Sequence, residues 1–91
     1  MPLRDIEEFR SWVDRDSPSI AAQRVVRHFL AEIGGEPWRS PSVPIDDLSS
    51  QPEYEVREAA LVVAGEQRPV RVWYRHIYAT DVVDIVAITS P

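Results

Sequence analysis

The chain has 91 residues, a length that suits one domain and leaves no room for a second. Its ten basic residues, all arginine, stand against fifteen acidic ones, and the formal net charge of −5 disfavours binding to nucleic acid. Without cysteine the chain has no disulfide bond, no thiolate metal ligand and no thiol nucleophile. We expect a cytoplasmic protein that does not associate with membranes, because neither a signal peptide nor a membrane-spanning segment is recognisable.

Two helices are predicted at the start of the chain. The first carries an apolar stripe at spacings of three and four residues, formed by Leu3, Ile6, Phe9 and Val13. It should end before Pro18, because a residue that precedes proline avoids the helical conformation. Ser17 is then expected to cap the second helix, with Pro18 in the first helical position.

The second helix has the clearest periodicity in the chain. Its apolar residues recur with the spacing of one helix face: Ala22, Val25, Val26, Phe29, Leu30 and Ile33. Gly34 and Gly35 should end it. Because the connection between the helices is short, we predict an antiparallel hairpin over residues 3–34, whose apolar face must be covered by a sheet.

Residues 36–53 form a crossing that is rich in proline and serine and in which no period persists. Trp38 lies in this crossing. Two roles are open for its side chain, which either plugs the core or serves as an exposed anchor for a partner.

The last third of the chain predicts three strands, over residues 54–63, 70–78 and 82–89, joined by short turns. The expected class is therefore α+β. A two-helix antiparallel hairpin would pack on a three-stranded antiparallel meander, in the order ααβββ, within a single domain that spans residues 1–91.

The third predicted strand is apolar on both faces. One face carries Val83, Ile85 and Ala87, and the other carries Val82, Val86 and Ile88. Such a strand is typical of a position where both faces are covered, in some proteins by a second subunit. We therefore predict a homodimer whose interface contains Val82, Val86 and Ile88.

The second predicted strand alternates strictly between two kinds of residue. The inward positions are Val70, Val72, Tyr74 and His76. The outward positions include Arg71, Trp73 and Arg75, an unusual display for an acidic protein. Two interpretations are open. The arginines pair across the sheet with Glu55, Asp84 or another acid, or the three side chains bind a phosphate, a nucleobase or the carboxylates of a partner.

No motif for a cofactor or a metal ion is recognisable in the sequence. The three glycines belong to no phosphate-binding loop, so we expect no nucleotide cofactor. The two histidines, His28 and His76, have no carboxylate at metal-site spacing, so we expect no metal site. Because His76 falls on the inward side of its strand, we interpret it as a core imidazole rather than a proton-transfer group.

The strands resemble those of the RelE/ParE toxin superfamily, in which a helical hairpin precedes strands of the patterns vRe, yRvlYr and v.il.v. The corresponding residues here are Val56-Arg57-Glu58, Val70-Arg71-Val72-Trp73-Tyr74-Arg75 and Val82-Val83-Asp84-Ile85-Val86-Ala87-Ile88. The resemblance covers residues 5–89. Members usually also have a strand before the first helix and a C-terminal tail, and the pattern here predicts neither.

The resemblance implies a bacterial protein of the toxin–antitoxin type that engages a partner protein through its sheet. Ribonuclease members cut ribosome-bound messenger without a metal ion, whereas gyrase-inhibiting members bind a protein. Given the acidic composition, we expect a non-catalytic, protein-binding relative. The candidate binding residues are Arg57, Arg71, Trp73, Tyr74 and Arg75. One alternative is a stand-alone acidic homodimer with a binding or regulatory role, similar to an immunity protein, and another is a metal-independent ribonuclease.

Overall fold

A computed structural model describes residues 3–4, 6–38, 42–45, 53–80 and 82–90 of the chain. Its elements are β1 (Leu3–Arg4), α1 (Ile6–Asp16), α2 (Ile20–Ile33), β2 (Val43–Pro44), β3 (Tyr54–Leu61), β4 (Val70–Ile77) and β5 (Val82–Thr89). Neither of these two helices has the length and apolar character needed to cross a membrane.

The strands form one sheet in the order β1-β5-β4-β3-β2. The pairs β5–β4, β4–β3 and β3–β2 are antiparallel, and β1 is parallel to β5. The α+β class is confirmed, but the predicted three-stranded sheet was too narrow. Strands β1 and β2 have two residues each, which is too short for a periodic pattern to reveal them. Strand β2 lies in the crossing predicted over residues 36–53, of which 39–41 and 46–52 are outside the described residues.

The junction between the helices differs in detail from the prediction. Helix α1 ends at Asp16, and Ser17 adopts a positive φ of 45°. The cap of α2 is Ser19 rather than Ser17, and its hydroxyl oxygen accepts a hydrogen bond from the backbone N–H of Ala22 at 3.1 Å. Ser17 therefore reverses the chain between the helices, and the capping role passes to the serine that follows Pro18.

Both helices pack on the same face of the sheet, which we call the inner face. The core beneath them contains Phe9 and Trp12 of α1, the apolar side of α2 and residues from β3, β4 and β5. The inward residues of β4 are buried, as its alternation predicts: Val70, Val72, Tyr74 and His76. The opposite face, on which Arg71, Trp73 and Arg75 lie, is the outer face.

A β-bulge in β5 changes which of its residues share a face. Tyr74 pairs with Ile85, whereas Trp73 pairs with Ala87, so Val86 is the extra residue. Beyond the bulge the parity is reversed, and Ile88 lies opposite Val72 in the core. The predicted grouping of Val82, Val86 and Ile88 on one face is therefore wrong, because Ile88 belongs to the inner face.

The end of α1 is fastened to the end of β5 by three side chains. Trp12, which is fully buried, donates from its indole nitrogen to the Ser90 hydroxyl at 2.8 Å. Arg15 donates to the backbone carbonyl of Ile88 at 2.6 Å, and Asp16 accepts from the backbone N–H of Ser90 at 3.2 Å. Arg15 also donates from Nε to the Asp16 carboxylate at 2.9 Å. This hydrogen bond and the one from the Ser90 N–H lower the pKa of Asp16, because both stabilise its carboxylate.

Candidate functional site

On the outer face, Arg71 and Trp73 are held by one carboxylate from the neighbouring strand. Glu58 pairs directly with Trp73 in the register of β3 and β4. One of its oxygens accepts from the Trp73 indole nitrogen at 2.8 Å, and the other accepts from Arg71 Nη1 at 2.6 Å. The two side chains thus have fixed positions, while 48% of the Arg71 side chain is still exposed.

Arg71, Trp73 and Arg75 form a row along β4 that we call the stripe. Arg75, at its other end, is held by β5 and by an aromatic ring. Its Nη2 donates to Asp84 at 3.3 Å, and its guanidinium carbon lies 5.5 Å from the centre of the Tyr54 ring. The side chain is 43% exposed. Asp84, one of the acids considered from the sequence, is the partner of Arg75, and the partner of Arg71 is another acid across the sheet, Glu58.

Two shallow depressions border the stripe. The one beside Arg75 has a volume of about 420 Å³ and is lined by Tyr54, Val56, Arg75, Ile85 and Val86. The one beside Arg71 has a volume of about 310 Å³ and is lined by Arg68, Pro69, Arg71, Thr89 and Ser90. Since strands rise about 3.3 Å per residue, Arg71 and Arg75 are about 13 Å apart along β4. Each arginine thus lies at a separate hollow of the same face.

Two of the five predicted binding residues, Arg57 and Tyr74, lie on the inner face and are buried. Arg57 donates to the hydroxyl of Ser42 at 2.9 Å, to its backbone carbonyl at 3.0 Å and to Glu55 at 3.0 Å. The Tyr74 hydroxyl donates to the backbone carbonyl of Pro37. The sheet thus separates these two residues from Arg71, Trp73 and Arg75, and the five do not form one site.

Burial raises the pKa of the Tyr74 hydroxyl above its ordinary value, and burial prevails over the nearby Ser42 and Arg57, which act in the opposite direction. The phenol therefore remains a neutral donor. Together, Tyr74 and Arg57 attach the chain at Pro37 and at Ser42 to the sheet. These contacts are structural supports for the segment that carries Trp38.

Trp38 is exposed, with 61% of its surface accessible, so it does not plug the core. Its ring lies 6.4 Å from that of His76, which in turn lies 5.4 Å from the ring of Tyr78. We call Trp38, His76 and Tyr78 the aromatic cluster. Sequence reasoning missed this cluster, because Trp38 precedes Tyr78 by forty positions and no period in the crossing indicates where the indole points.

The residues proposed for a dimer interface are dispersed as well. Val82 lies on the outer face and is buried within the chain, and Ile88 is part of the core. Only Val86, which is 47% exposed at the bulge, offers an accessible apolar surface among the three. Within the described parts of the chain, no three His, Asp or Glu side chains are grouped in a way that could hold a metal ion.

Comparisons with known protein families, with curated proteins and with solved structures find no match to this chain.

Proposed function

We propose that this protein is a non-catalytic binding module that holds an acidic segment of a partner protein on the outer face of its sheet. The observation that carries the proposal is the stripe of Arg71, Trp73 and Arg75. Each of these side chains is fixed by an acid or an aromatic ring of the same sheet, yet about half of each arginine is accessible.

The stripe has unused capacity for hydrogen bonds to carboxylates. A guanidinium group has five N–H donors, and one hydrogen bond to an acid is formed by Arg71 and one by Arg75. Because Glu58 and Asp84 already hold these arginines, a ligand would not have to immobilise long flexible side chains. Glu58 and Asp84 offset the charges of Arg71 and Arg75, and Arg68, beside the hollow at Arg71, adds a further positive charge to this face.

Apolar surface beside the arginines would add affinity and specificity. Val86 is accessible next to Arg75, and Val43 of β2 is exposed and pairs with Glu58 across the sheet. Trp73 lies between the two arginines, and a partly buried tryptophan flanked by arginines is typical of the residues that dominate binding energy at protein interfaces. An acidic segment with apolar side chains therefore complements this face in both charge and chemistry.

The resemblance to the RelE/ParE superfamily also supports a partner protein. The short strand β1 ahead of α1 supplies the element that the sequence pattern did not predict and that members of the superfamily usually have. By this resemblance the partner would be encoded next to this protein, as in a toxin–antitoxin locus.

The two alternatives have weaker support. A homodimer through β5 would lack Ile88, which is in the core, although Val86 is available for contact. A metal-independent ribonuclease would need reactive groups at the surface, and both Arg57 and Tyr74 are buried and engaged by Ser42 and Pro37. Binding of an acidic partner would instead use Arg71 and Arg75, whose side chains are accessible.

The test is affinity capture from the source organism with three forms of the protein. These are the wild type, the Arg71→Ala/Trp73→Ala/Arg75→Ala variant and a charge-matched control, Arg10→Ala/Arg24→Ala, which removes two exposed arginines from the helices. Captured proteins and RNA are identified, and the candidate partner is then purified and titrated. Thermal unfolding followed by circular dichroism verifies that all three forms fold.

We expect one protein with an acidic segment to bind the wild type and the control, and to be lost with the stripe variant. Equal binding by all three forms would overturn the proposal. Capture of RNA or ribosomes that depends on the stripe would favour the ribonuclease alternative. A dimer in light scattering that Val86→Asp dissociates would favour self-association instead.

A further inference from the structure

The two hollows that border the stripe differ in chemistry. The hollow at Arg71 is lined by two arginines, a proline and two hydroxyl residues, and none of these five residues is acidic. The hollow at Arg75 is lined mainly by apolar and aromatic side chains, among them Tyr54, Val56 and Val86. The two ends of the stripe therefore suit two different kinds of ligand group.

The hollow at Arg71 carries the positive charge of this face. Glu58 offsets the charge of Arg71 at 2.6 Å. Arg68 is exposed ahead of β4 and forms no ion pair with any acid among the described residues. Glu66, two positions before Arg68, lines a neighbouring depression with Val62 and does not line this hollow. A carboxylate between Arg68 and Arg71 would thus meet two guanidinium groups, of which one is not offset.

The hollow at Arg75 offers little charge to a ligand. The buried Asp84 offsets the charge of Arg75 at 3.3 Å, and the guanidinium group also lies over the Tyr54 ring. Val86 is exposed beside it, and the hollow has a volume of about 420 Å³, which is ample for an aliphatic side chain. Burial of such a side chain against Val86 and Tyr54 would remove apolar surface from water.

The distance between the two ends determines the form of the ligand. Arg71 and Arg75 are four residues apart on β4, which corresponds to about 13 Å. In an extended segment lying along β4, side chains four positions apart cover this distance and point to the same side, and the one between them lies over Trp73. In a helix, the nearest spacings that share a face are seven and eleven positions, or about 10 and 16 Å, and neither matches.

We infer that the stripe recognises an extended segment with one carboxylate between Arg68 and Arg71 and an apolar side chain, four positions away, in the hollow beside Arg75. This inference rests on the proposed function and specifies its ligand. A run of acids is not needed, because the charge of Arg75 is already offset and the chain has a net charge of −5. Arg68, which lies outside the stripe, is the residue that selects for the acid.

The test uses a short capped peptide with one glutamate and one leucine four positions apart, in a threonine-rich background that favours the extended form. Two control peptides of equal length either replace the glutamate by glutamine or place the leucine two positions from the glutamate. Binding is followed by the indole N–H signal of Trp73 in nitrogen-15 NMR spectra, assigned with Trp73→Phe. The signal of Trp12, which is in the core, is the internal reference.

We expect the glutamate–leucine peptide to shift the Trp73 signal in a saturable way, and the peptide with the shorter spacing to bind more weakly. Arg68→Ala should weaken binding about threefold with the glutamate peptide and should have no effect with the glutamine peptide. Val86→Ala should weaken binding about threefold with both peptides, because its contact is apolar. The matched controls, Arg24→Ala and Ile20→Ala, remove exposed side chains from α2 and should leave the affinity unchanged.

Four outcomes would overturn the inference: no saturable shift of Trp73, equal affinity for the glutamate and glutamine peptides, equal affinity for the two spacings, or an Arg68→Ala effect that does not depend on the glutamate. The capture experiment decides the proposed function separately, because it varies Arg71, Trp73 and Arg75 and leaves Arg68 in place. A partner that is captured through the stripe and binds Arg68→Ala as tightly as the wild type would support the proposed function and contradict this inference.

Discussion

Arg57 holds Ser42 by two hydrogen bonds at once, from Nε to the hydroxyl at 2.9 Å and from Nη2 to the backbone carbonyl at 3.0 Å. A planar guanidinium can donate in this forked manner, whereas an ammonium group cannot. The strand residue thus fixes a loop residue fifteen positions earlier in the chain. Its role is to position the crossing, and this role has a measurable energetic consequence.

Arg57→Ala should lower the free energy of unfolding by about 3 kcal/mol, because it leaves Glu55 without its ion pair and Ser42 without its donors in a buried environment. Arg57→Lys should recover only part of this loss, since a lysine cannot form the fork. Urea titration measures both effects. Arg71→Ala is the control, because its ion pair is exposed and should contribute less than about 1 kcal/mol. Equal losses for Arg57→Ala and Arg71→Ala would show that Arg57 is not a structural support.

Tyr74 should make stability depend on alkaline pH. Burial raises its pKa in the folded state, so the folded protein retains the phenolic proton at a pH where the unfolded chain loses it. The contribution of Tyr74 is complete below the unfolded pKa of about 10 and is lost as pH rises towards the folded value. Tyr74→Phe removes this pH-dependent contribution to stability. The gap in melting temperature between wild type and Tyr74→Phe should narrow above pH of about 10, and a constant gap would contradict the assignment.

Substitutions of the two serines between the helices should have opposite effects. Ser17 has a φ of 45°, a conformation that glycine adopts without strain, so Ser17→Gly should stabilise the protein by about 0.5–1 kcal/mol. Ser19→Ala removes the cap of α2 and should cost about 1 kcal/mol. Thermal unfolding of the two variants provides the measurement. Destabilisation by Ser17→Gly would contradict the positive φ of Ser17 in this turn.

The bulge in β5 predicts that two neighbouring apolar residues respond differently to truncation. Ile88→Ala should cost about 3 kcal/mol, since it opens a cavity in the core. Val86→Ala should change the free energy of unfolding by less than about 0.5 kcal/mol, because its side chain is partly in solvent. Denaturant titration distinguishes the two. A larger loss for Val86→Ala than for Ile88→Ala would indicate that Ile88 lies on the outer face and would support the predicted dimer interface.

Much of this fold follows from local patterns. The apolar spacing of α2 matches its buried residues, and the alternation of β4 correctly separates the stripe from the core. These predictions succeed because a helix or strand of eight residues or more repeats its period several times. Strands β1 and β2 are recognisable only from their pairing partners, and a bulge is a single unpaired residue with no periodic signal.

The candidate site was predictable only in part. The positions of Arg71, Trp73 and Arg75 follow from parity within one strand, whereas the face of Arg57 depends on how β3 aligns with β4. Tyr74 was assigned to two roles at once, an inward residue and a binding residue, and the structure retains the first. Trp38 follows Pro37, whose carbonyl accepts a hydrogen bond from Tyr74, and composition cannot reveal a contact between residues so far apart in the chain.

The contacts that Arg15 and Asp16 make with β5 restrict how other chains can approach. Among the described residues, strand β1 covers this side of β5 at Val83 and Asp84. Farther along, Arg15 occupies the carbonyl of Ile88 and Asp16 occupies the N–H of Ser90, the groups to which an incoming strand would bind. Two helix side chains thus take the place of a neighbouring strand. They discourage edge-to-edge aggregation there and direct association towards the faces of the sheet.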